Sequence, residues 1–193
     1  MSFSTTTKLF TKAGCISSHI ARFAAEVKQI DYCCIDIDEN GKLASSVGVQ
    51  RVPALCDRYV TVSDLDIVLE YLEEQNPAIP LLPANVADRA IYRSVVRSLH
   101  RDVFPLLDLA VTGDAAAVQK LRQQLHDFNA TLEGRTYFAG DVISLIDITL
   151  APWLYSAMSK GLSIKQLPHL SAYADRMIRM PAFAATVPTR VAA

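Results

Sequence analysis

The residues best suited to chemistry near the start of the chain form a cysteine–serine pattern, Cys15-Ile16-Ser17-Ser18. Gly14 breaks a short apolar run just before it, and an amphipathic segment follows, which predicts a helix capped by Ser17 or Ser18. A cysteine at the mouth of a helix lies close to free main-chain amides, which favour its thiolate form. Cys15 is therefore a candidate nucleophile for thiol transfer, and a passive small residue is the alternative.

A second candidate is Val52-Pro53, which precedes the short apolar run from Ala54 to Asp57. Proline inside a strand removes a hydrogen-bond donor, so Pro53 belongs at the start of that strand. If the Val52–Pro53 bond is cis, the main chain of Val52 can pair with an extended peptide. An ordinary trans proline that opens a strand is the alternative. Ser63 or Asp64 can cap the helix that follows.

The other sulfur-bearing and basic residues have simpler interpretations. Cys33, Cys34 and Cys56 are predicted to be strand residues that pack as small apolar groups, without the spacing of a zinc site or a CxxC pair. His19 is predicted to lie on a surface, and Arg22 could make a structural ion pair. No metal site is expected.

Hydrophobic periodicity predicts the elements that position these residues. They are a strand from Lys8 to Thr11, a helix through Ile20 and Val27, a strand from Ile30 to Ile37, a turn at Asp38 to Gly41, a short helix or loop from Lys42 to Val49, strands Ala54 to Asp57 and Val60 to Val62, and a helix from Leu65 to Leu72. The first strand, helix and strand form a βαβ unit, and the later strands form a hairpin.

Pro77, Pro80 and Pro83 cannot continue a helix, so they predict a domain boundary. We expect a first domain at 1–76, a proline-rich linker at 77–86 and an all-helical domain at 87–193. Its predicted helices are Ala84 to Val111 with an interruption at Pro105, Ala115 to Leu132, a helix opened by the S-x-x-D box of Ser144 and Asp147, and two short helices at Pro168 and Pro181.

Composition argues against two classes of function, nucleic-acid binding and membrane insertion. The chain has 193 residues, 51% of them hydrophobic and 20% charged, with a net charge of −1. Direct nucleic-acid binding is not expected, because it needs a one-sided cluster of basic residues. Nor is membrane insertion, since no apolar run approaches the length of a bilayer span. We expect a cytoplasmic protein that buries some apolar surface against another subunit, with a compact monomer as the alternative.

The order of elements and the segments VPAL, EYLEEQNPAIPLLP, DRA and FAGDVISLIDITLAPWL resemble the glutathione-transferase superfamily. The resemblance implies an α/β plus all-α fold: a thioredoxin-like βαβ-ββα domain with a mixed four-stranded sheet, then a helical bundle. Within the superfamily, LFTKAGCISSHIARFAAEVK and VQKLRQQL are similar to the stringent starvation protein A family. That family binds RNA polymerase holoenzyme, acts as a homodimer and lacks transferase activity. It implies a transcription regulator that needs no cofactor.

A glutathione transferase needs an activating hydroxyl or thiol, the main chain before a cis-proline, and an acidic residue followed by serine at a helix start. By the resemblance, the activating group corresponds to Cys15, Ser17 or Ser18, and the main chain before the cis-proline to Val52 and Pro53. The acidic residue and the serine correspond to Asp64 and Leu65. Leu65 has no hydroxyl, and losing a charge-assisted hydrogen bond lowers affinity about ten- to hundredfold. An inverted register would use Ser63 and Asp64. We therefore expect a residual glutathione groove at Val52, Pro53 and Asp64.

The linker is a candidate partner surface. Pro77-Ala78-Ile79-Pro80 stands where the stringent starvation family has a Pro-His-Pro surface tied to transcription. A stiff proline-rich loop loses little freedom on binding. A plain interdomain linker is the alternative.

Three functions remain open from the sequence. The first is the polymerase-binding regulator. The second is a glutathione-dependent thiol transferase using Cys15, which resembles omega-class transferases and monothiol glutaredoxins but has Ile16 where they have proline. The third is a conventional glutathione transferase activated by Ser17 or Ser18.

Overall fold

The computed structural model describes residues 7–37, 49 and 51–187 of the chain. These divide into two compact units. The first contains the chain up to Pro80 and the segment that begins at Pro181, and the second runs from Leu81 to Met180.

The first unit has the predicted βαβ-ββα order. Its elements up to the linker are β1 (Thr7–Thr11), α1 (Ile16–Val27), β2 (Tyr32–Asp36), β3 (Ala54–Cys56), β4 (Thr61–Ser63) and α2 (Leu65–Gln75). The strands form a sheet in the order β2-β1-β3-β4, with β1 parallel to β2 and the other two pairs antiparallel. The mixed four-stranded sheet is thus confirmed. The turn predicted at Asp38 to Gly41 and the segment Lys42 to Val49 lie outside the described residues, apart from Val49.

Burial explains why these segments form strands and helices. Leu9 and Phe10 on the central strand β1 are almost fully buried. Helix α1 covers the sheet with Ile20 and Phe23, which recur at helical spacing and have no exposed surface. Helix α1 begins at Ile16 with Cys15 as its N-cap, two or three residues before the predicted serine cap. The main-chain oxygen of Cys15 accepts the first helical hydrogen bond, which leaves the two serines inside the helix.

The second unit is all-helical in its described residues, as predicted. Its helices are α3 (Val86–Ser98), α4 (Phe104–Val111), α5 (Ala115–Thr131), α6 (Leu145–Ser159) and α7 (Pro168–Arg179). A π-helical turn, Leu99–Val103, separates α3 from α4, so the predicted helix from Ala84 to Val111 is interrupted next to Pro105. Proline has no amide hydrogen to donate, so it is accommodated in the first turn of α4.

Helix α6 runs through the core of this unit. Trp153 has no exposed surface and stacks on Phe104 with ring centroids 5.3 Å apart. At the start of α6 the buried carboxylate of Asp147 accepts hydrogen bonds from the main chain and the hydroxyl of Ser144, at 2.9 and 2.7 Å, and from the Phe138 amide at 3.0 Å. The carboxylate of the predicted S-x-x-D box therefore fixes both the helix start and the loop before it.

The end of the chain differs from the expected domain division. We expected 87–193 to lie in one helical domain, but the short helix α8 (Pro181–Ala184) belongs to the first unit. Phe183 is fully buried there, edge-on to Phe23 of α1 at 5.0 Å. None of the described helices is both long and apolar enough to cross a bilayer.

Candidate functional site

Strand pairing brings the predicted site residues to one end of the sheet. Phe10, near the end of β1, pairs with Ala54 at the start of β3, and Ala54 pairs with Ser63 at the end of β4. Each candidate lies one to five residues from these paired positions along the chain. They are Cys15 after β1, Val52 and Pro53 before β3, and Asp64 after β4. The topology therefore gathers three candidate sites that are far apart in sequence.

Cys15 stands at the N-terminus of α1 and forms no disulfide. Its side chain is half-buried and caps no helix amide, because the main chain of Cys15 does the capping. The Cys15 amide donates to the oxygen of Lys12 at 3.2 Å, and its oxygen accepts from the His19 amide at 3.0 Å. The sulfur is thus held at the N-terminus of α1 by the backbone of its own residue.

The two serines after it differ in their surroundings. Ser18 has no exposed surface, and its hydroxyl oxygen accepts a hydrogen bond from the Lys12 amide at 3.1 Å. This hydroxyl closes the loop between β1 and α1. Ser17 is half-buried on the first turn of α1. Of the two, Ser17 is better placed to reach a ligand.

The Val52–Pro53 peptide bond is cis. This is the isomer in which the main chain of Val52 can pair with an extended peptide. Pro53 is buried, while Val52 is half-buried against Phe10 and Ala54. The preceding residue, Arg51, was not identified from the sequence. Its exposed guanidinium lies 3.6 Å from a carboxylate oxygen of Asp64, so a cation stands beside the candidate groove.

Asp64 has an unusual backbone for a residue with a side chain. It is the N-cap of α2, with φ of 71° and ψ of 135°, and its carboxylate makes no capping hydrogen bond. Positive φ in a non-glycine residue costs of order 1–3 kcal/mol, and such residues cluster at functional sites. Leu65 is the first residue of α2, and Ser63 ends β4. Asp64 and Leu65 are thus the N-cap and the first residue of α2, and the first-turn amides of α2 receive no side-chain cap from Asp64.

The opposite ends of the same two helices are joined by a buried ion pair. Lys28, just after α1, has no exposed surface, and its ammonium donates to a Glu73 carboxylate oxygen at 2.7 Å and to the Glu73 main-chain oxygen at 3.0 Å. Asn76 donates to the main-chain oxygen of Lys28 at 2.7 Å. Because α1 and α2 have 12 and 11 residues, joining their C-termini aligns their N-termini at the site.

Comparison with known proteins agrees with this architecture. Residues 100–181 match the glutathione S-transferase C-terminal domain family. A tau-class glutathione S-transferase from mango superposes with a TM-score of 0.82 at 24% identity, covering 95% of this chain and 93% of that one. The chain has the glutathione S-transferase fold.

Curated relatives of this transferase-like chain carry more than one name. A stringent starvation protein A homolog from Haemophilus ducreyi is 23% identical over 93% of this chain and 88% of that protein. The maleylacetoacetate isomerase of Rattus norvegicus is 27% identical over 88% of this chain and 86% of that protein. The two relatives differ in function at similar, low identities, so these likenesses do not decide between their functions.

On this transferase scaffold, the predicted surface histidine is instead buried. His19 is 4% exposed, and its Nε2 lies 3.1 Å from the Thr186 hydroxyl. Burial, and then the charge of Arg22, lower the pKa of His19 from its ordinary 6.5 to about 4. Arg22 donates to the Thr186 main-chain oxygen at 3.2 Å. Sequence reasoning missed this anchor because its two halves are more than 160 residues apart.

Two of the cysteines also differ from the prediction. Cys33 and Cys34 are exposed on β2, an edge strand of the sheet. Cys56 is half-buried on β3, and its sulfur accepts from the Thr61 hydroxyl at 3.2 Å. No cluster of three metal-ligating side chains occurs in the described part of the chain.

The linker carries an exposed turn. Pro77, Ala78 and Pro80 are exposed, while Ile79 is half-buried, and the Ile79 amide donates to the Asn76 oxygen at 3.4 Å. Ile79 thus presents part of its side chain rather than the whole of it. An apolar contact there would be small and would be shared with the neighbouring prolines.

Proposed function

We propose that the chain is a non-enzymatic transcription regulator of the stringent starvation protein A type, which binds RNA polymerase holoenzyme through a transferase-like scaffold. The observation that carries the proposal is Leu65 at the first position of α2. A ligand carboxylate at this helix start would find main-chain amides but no hydroxyl from the first helical residue, Leu65. Weak glutathione binding fits a scaffold whose outer surface performs the function.

The proposed polymerase-binding surface is the exposed turn Pro77, Ala78, Ile79 and Pro80. Its proline content supports this assignment, because a stiff loop loses little conformational entropy when it docks. The stringent starvation relatives among the curated proteins give independent support for this function.

Retention by purified polymerase holoenzyme tests the proposal. The wild-type chain should be retained, and Ile79→Asp should weaken retention because a charge replaces a partly buried apolar contact. Ala84→Asp is the matched control, since it adds the same charge at an exposed position outside the turn. Failure of the holoenzyme to retain the wild-type chain would refute the proposal.

Homodimer formation belongs to the same proposal. Helix α3 buries only Val96, while Val86, Ile91 and Val95 are exposed by 80%, 57% and 36%. Exposed apolar side chains along one helix are typical of a subunit interface. Ile91→Asp should therefore convert a dimer to a monomer in analytical ultracentrifugation.

A second function is favoured by one observation: Cys15 lies at a helix N-terminus, and its thiol makes no capping hydrogen bond to the helix. In a glutathione-dependent thiol transferase, the Cys15 thiolate attacks the glutathione sulfur of a mixed disulfide. The new bond joins Cys15 to glutathione, and the substrate sulfur leaves as a thiolate and takes up a proton. A second glutathione thiolate then releases Cys15, forming glutathione disulfide.

Cysteine variants separate the two functions. A thiol transferase would lose its exchange activity in Cys15→Ser and keep it in Cys33→Ser, which alters an exposed thiol on β2. A regulator would show no exchange activity in any variant and would keep polymerase binding in Cys15→Ser.

A further inference from the structure

We propose that the second unit carries a binding site for small carboxylates with an apolar body, in a cavity formed by α4, α5 and the connection between α6 and α7. The cavity has a volume of about 720 Å³. Pockets for small ligands in proteins have volumes of about 300–1,000 Å³. The site is independent of the groove at Cys15 and Asp64, because every residue that lines it belongs to the second unit.

The floor of the cavity is apolar. Leu121 and Leu125 on α5 and Leu167 just before α7 line it, and each is 6% exposed or less. Val118 adds a further apolar wall and is 38% exposed. Apolar surface that is accessible at the bottom of a cavity favours a ligand with a hydrocarbon or aromatic body.

The rim of the cavity is positively charged. Arg122 on α5 and Lys165 on the α6–α7 connection line it, both are exposed, and His126 provides a third nitrogen-bearing side chain. No Asp or Glu is found among the described residues that line it. Within the described parts of the chain, no ion pair joins Arg122 or Lys165 to a carboxylate. Two cations above an apolar floor therefore select an anionic head group.

The guanidinium of Arg122 makes a carboxylate the favoured head group. Its planar fork of donors can form two parallel hydrogen bonds to a carboxylate, and Lys165 can add a third. Ser163 and Gln166, which also line the cavity, supply further polar contacts at the mouth. The occupant is thus a compact acid with its carboxylate at the rim and its alkyl or aryl part on the leucine floor.

The cavity also explains the VQKLRQQL run, to which the proposed function assigns no role. In the VQKLRQQL run, residues 118, 121, 122 and 125 all line the cavity. Their spacing of three and four residues puts them on one face of α5. The second and third residues of the run, Gln119 and Lys120, are exposed and do not line the cavity.

Calorimetry with dodecanoate, below its micelle concentration, tests the site. One equivalent should bind, and a combined Arg122→Gln and Lys165→Gln variant should weaken binding at least tenfold, since each charge-assisted contact carries about that factor. Lys120→Gln is the matched control and should leave the affinity unchanged. Dodecan-1-ol, which has the same chain without the charge, should bind at least tenfold more weakly.

Two further measurements locate the ligand. Ser163→Trp fills the mouth from an exposed position and should abolish binding, while saturating glutathione should not change the dodecanoate affinity. Amide chemical shifts should move around residues 110–126 and 161–167. The proposal is overturned if dodecanoate does not bind, if the double variant binds as tightly as the wild type, or if the shifts map elsewhere. None of these outcomes depends on polymerase binding or on Cys15.

Discussion

The two ends of the α1–α2 helix pair in the first unit differ sharply. At the N-terminal end, Cys15 and Asp64 cap their helices with main-chain atoms only, and Asp64 is exposed with a positive φ. At the C-terminal end, Lys28, Glu73 and Asn76 are linked by three hydrogen bonds, and the Lys28 ammonium is fully buried. One end is polar and open, and the other is polar and closed.

The difference follows from solvent access. An amide at an exposed helix start can be hydrated, so leaving it without a side-chain cap costs little and keeps it available to a ligand. A buried ammonium has no such option and must be paired, because an unpaired charge in the interior is strongly destabilising. The closed end therefore fixes the positions of the two helices, and the open end can remain available for binding.

Breaking the closed end should have the largest effect. Lys28→Met leaves the Glu73 carboxylate buried without its partner, and we expect a loss of about 3–5 kcal/mol in the free energy of unfolding. Lys12→Met, at an exposed lysine of the same unit, is the matched control and should change stability by less than about 0.5 kcal/mol. Urea unfolding measures both. A small loss in Lys28→Met would mean that the pair does not hold the helices together.

The His19 anchor predicts a pH dependence that sharpens the comparison. Above pH 6.5 His19 is neutral in both states, and between 6.5 and 4 only the unfolded chain takes up the proton. Stability should therefore fall as the pH falls through this range, by about 2–3 kcal/mol between pH 7 and pH 4.5, at 1.36 kcal/mol per pKa unit.

Urea titrations of His19→Gln at both pH values isolate this contribution. In His19→Gln, the fall in the free energy of unfolding between pH 7 and pH 4.5 should be smaller than in the wild type by about 2–3 kcal/mol. In His126→Gln, which alters an exposed histidine of α5, the fall should equal that of the wild type. An unchanged pH dependence in His19→Gln would show that the buried ring is not the titrating group.

The sequence predicted most of the fold because the fold depends on local signals. Apolar periodicity indicated the α1 and α2 helices, Pro53 marked the start of β3, and the Ser144–Asp147 box marked the start of α6. The strand pairs that gather Cys15, Val52 and Asp64 could be expected only through the family resemblance. Periodicity alone gives no strand order.

What the sequence could not predict depends on contacts between distant segments. Lys28 looks like an ordinary surface lysine until α2 brings Glu73 beside it. His19 looks exposed until Thr186 covers it, and Cys33, predicted to pack as a small apolar group, is exposed on the edge strand β2. For Lys28 and His19, burial depends on a partner 45 and 167 residues away, which no local pattern contains.

Restoring the missing hydroxyl tests the open end directly. Leu65→Ser puts a donor at the first position of α2, next to Asp64, and should tighten glutathione binding about ten- to hundredfold. Ile67→Ser is the matched control, because it adds the same hydroxyl on the same turn from a 52% exposed side chain. Calorimetry that gives equal affinities for the wild type and Leu65→Ser would show that Leu65 does not limit glutathione binding.

The smallest expected effect concerns the backbone of Asp64. Asp64→Gly removes a side chain that caps no amide and relieves the cost of a φ of 71°, so stability should rise by about 0.5–1 kcal/mol. Asp114→Gly, at the start of α5, removes a carboxylate that accepts from the Ala117 amide at 2.9 Å, so stability should fall by a few tenths of a kcal/mol. If urea unfolding gives a higher free energy of unfolding for Asp64→Gly and a lower one for Asp114→Gly, the start of α2 is shaped for a ligand and the start of α5 for stability. A loss in Asp64→Gly as large as that in Asp114→Gly would show that Asp64 stabilises the fold like any other cap.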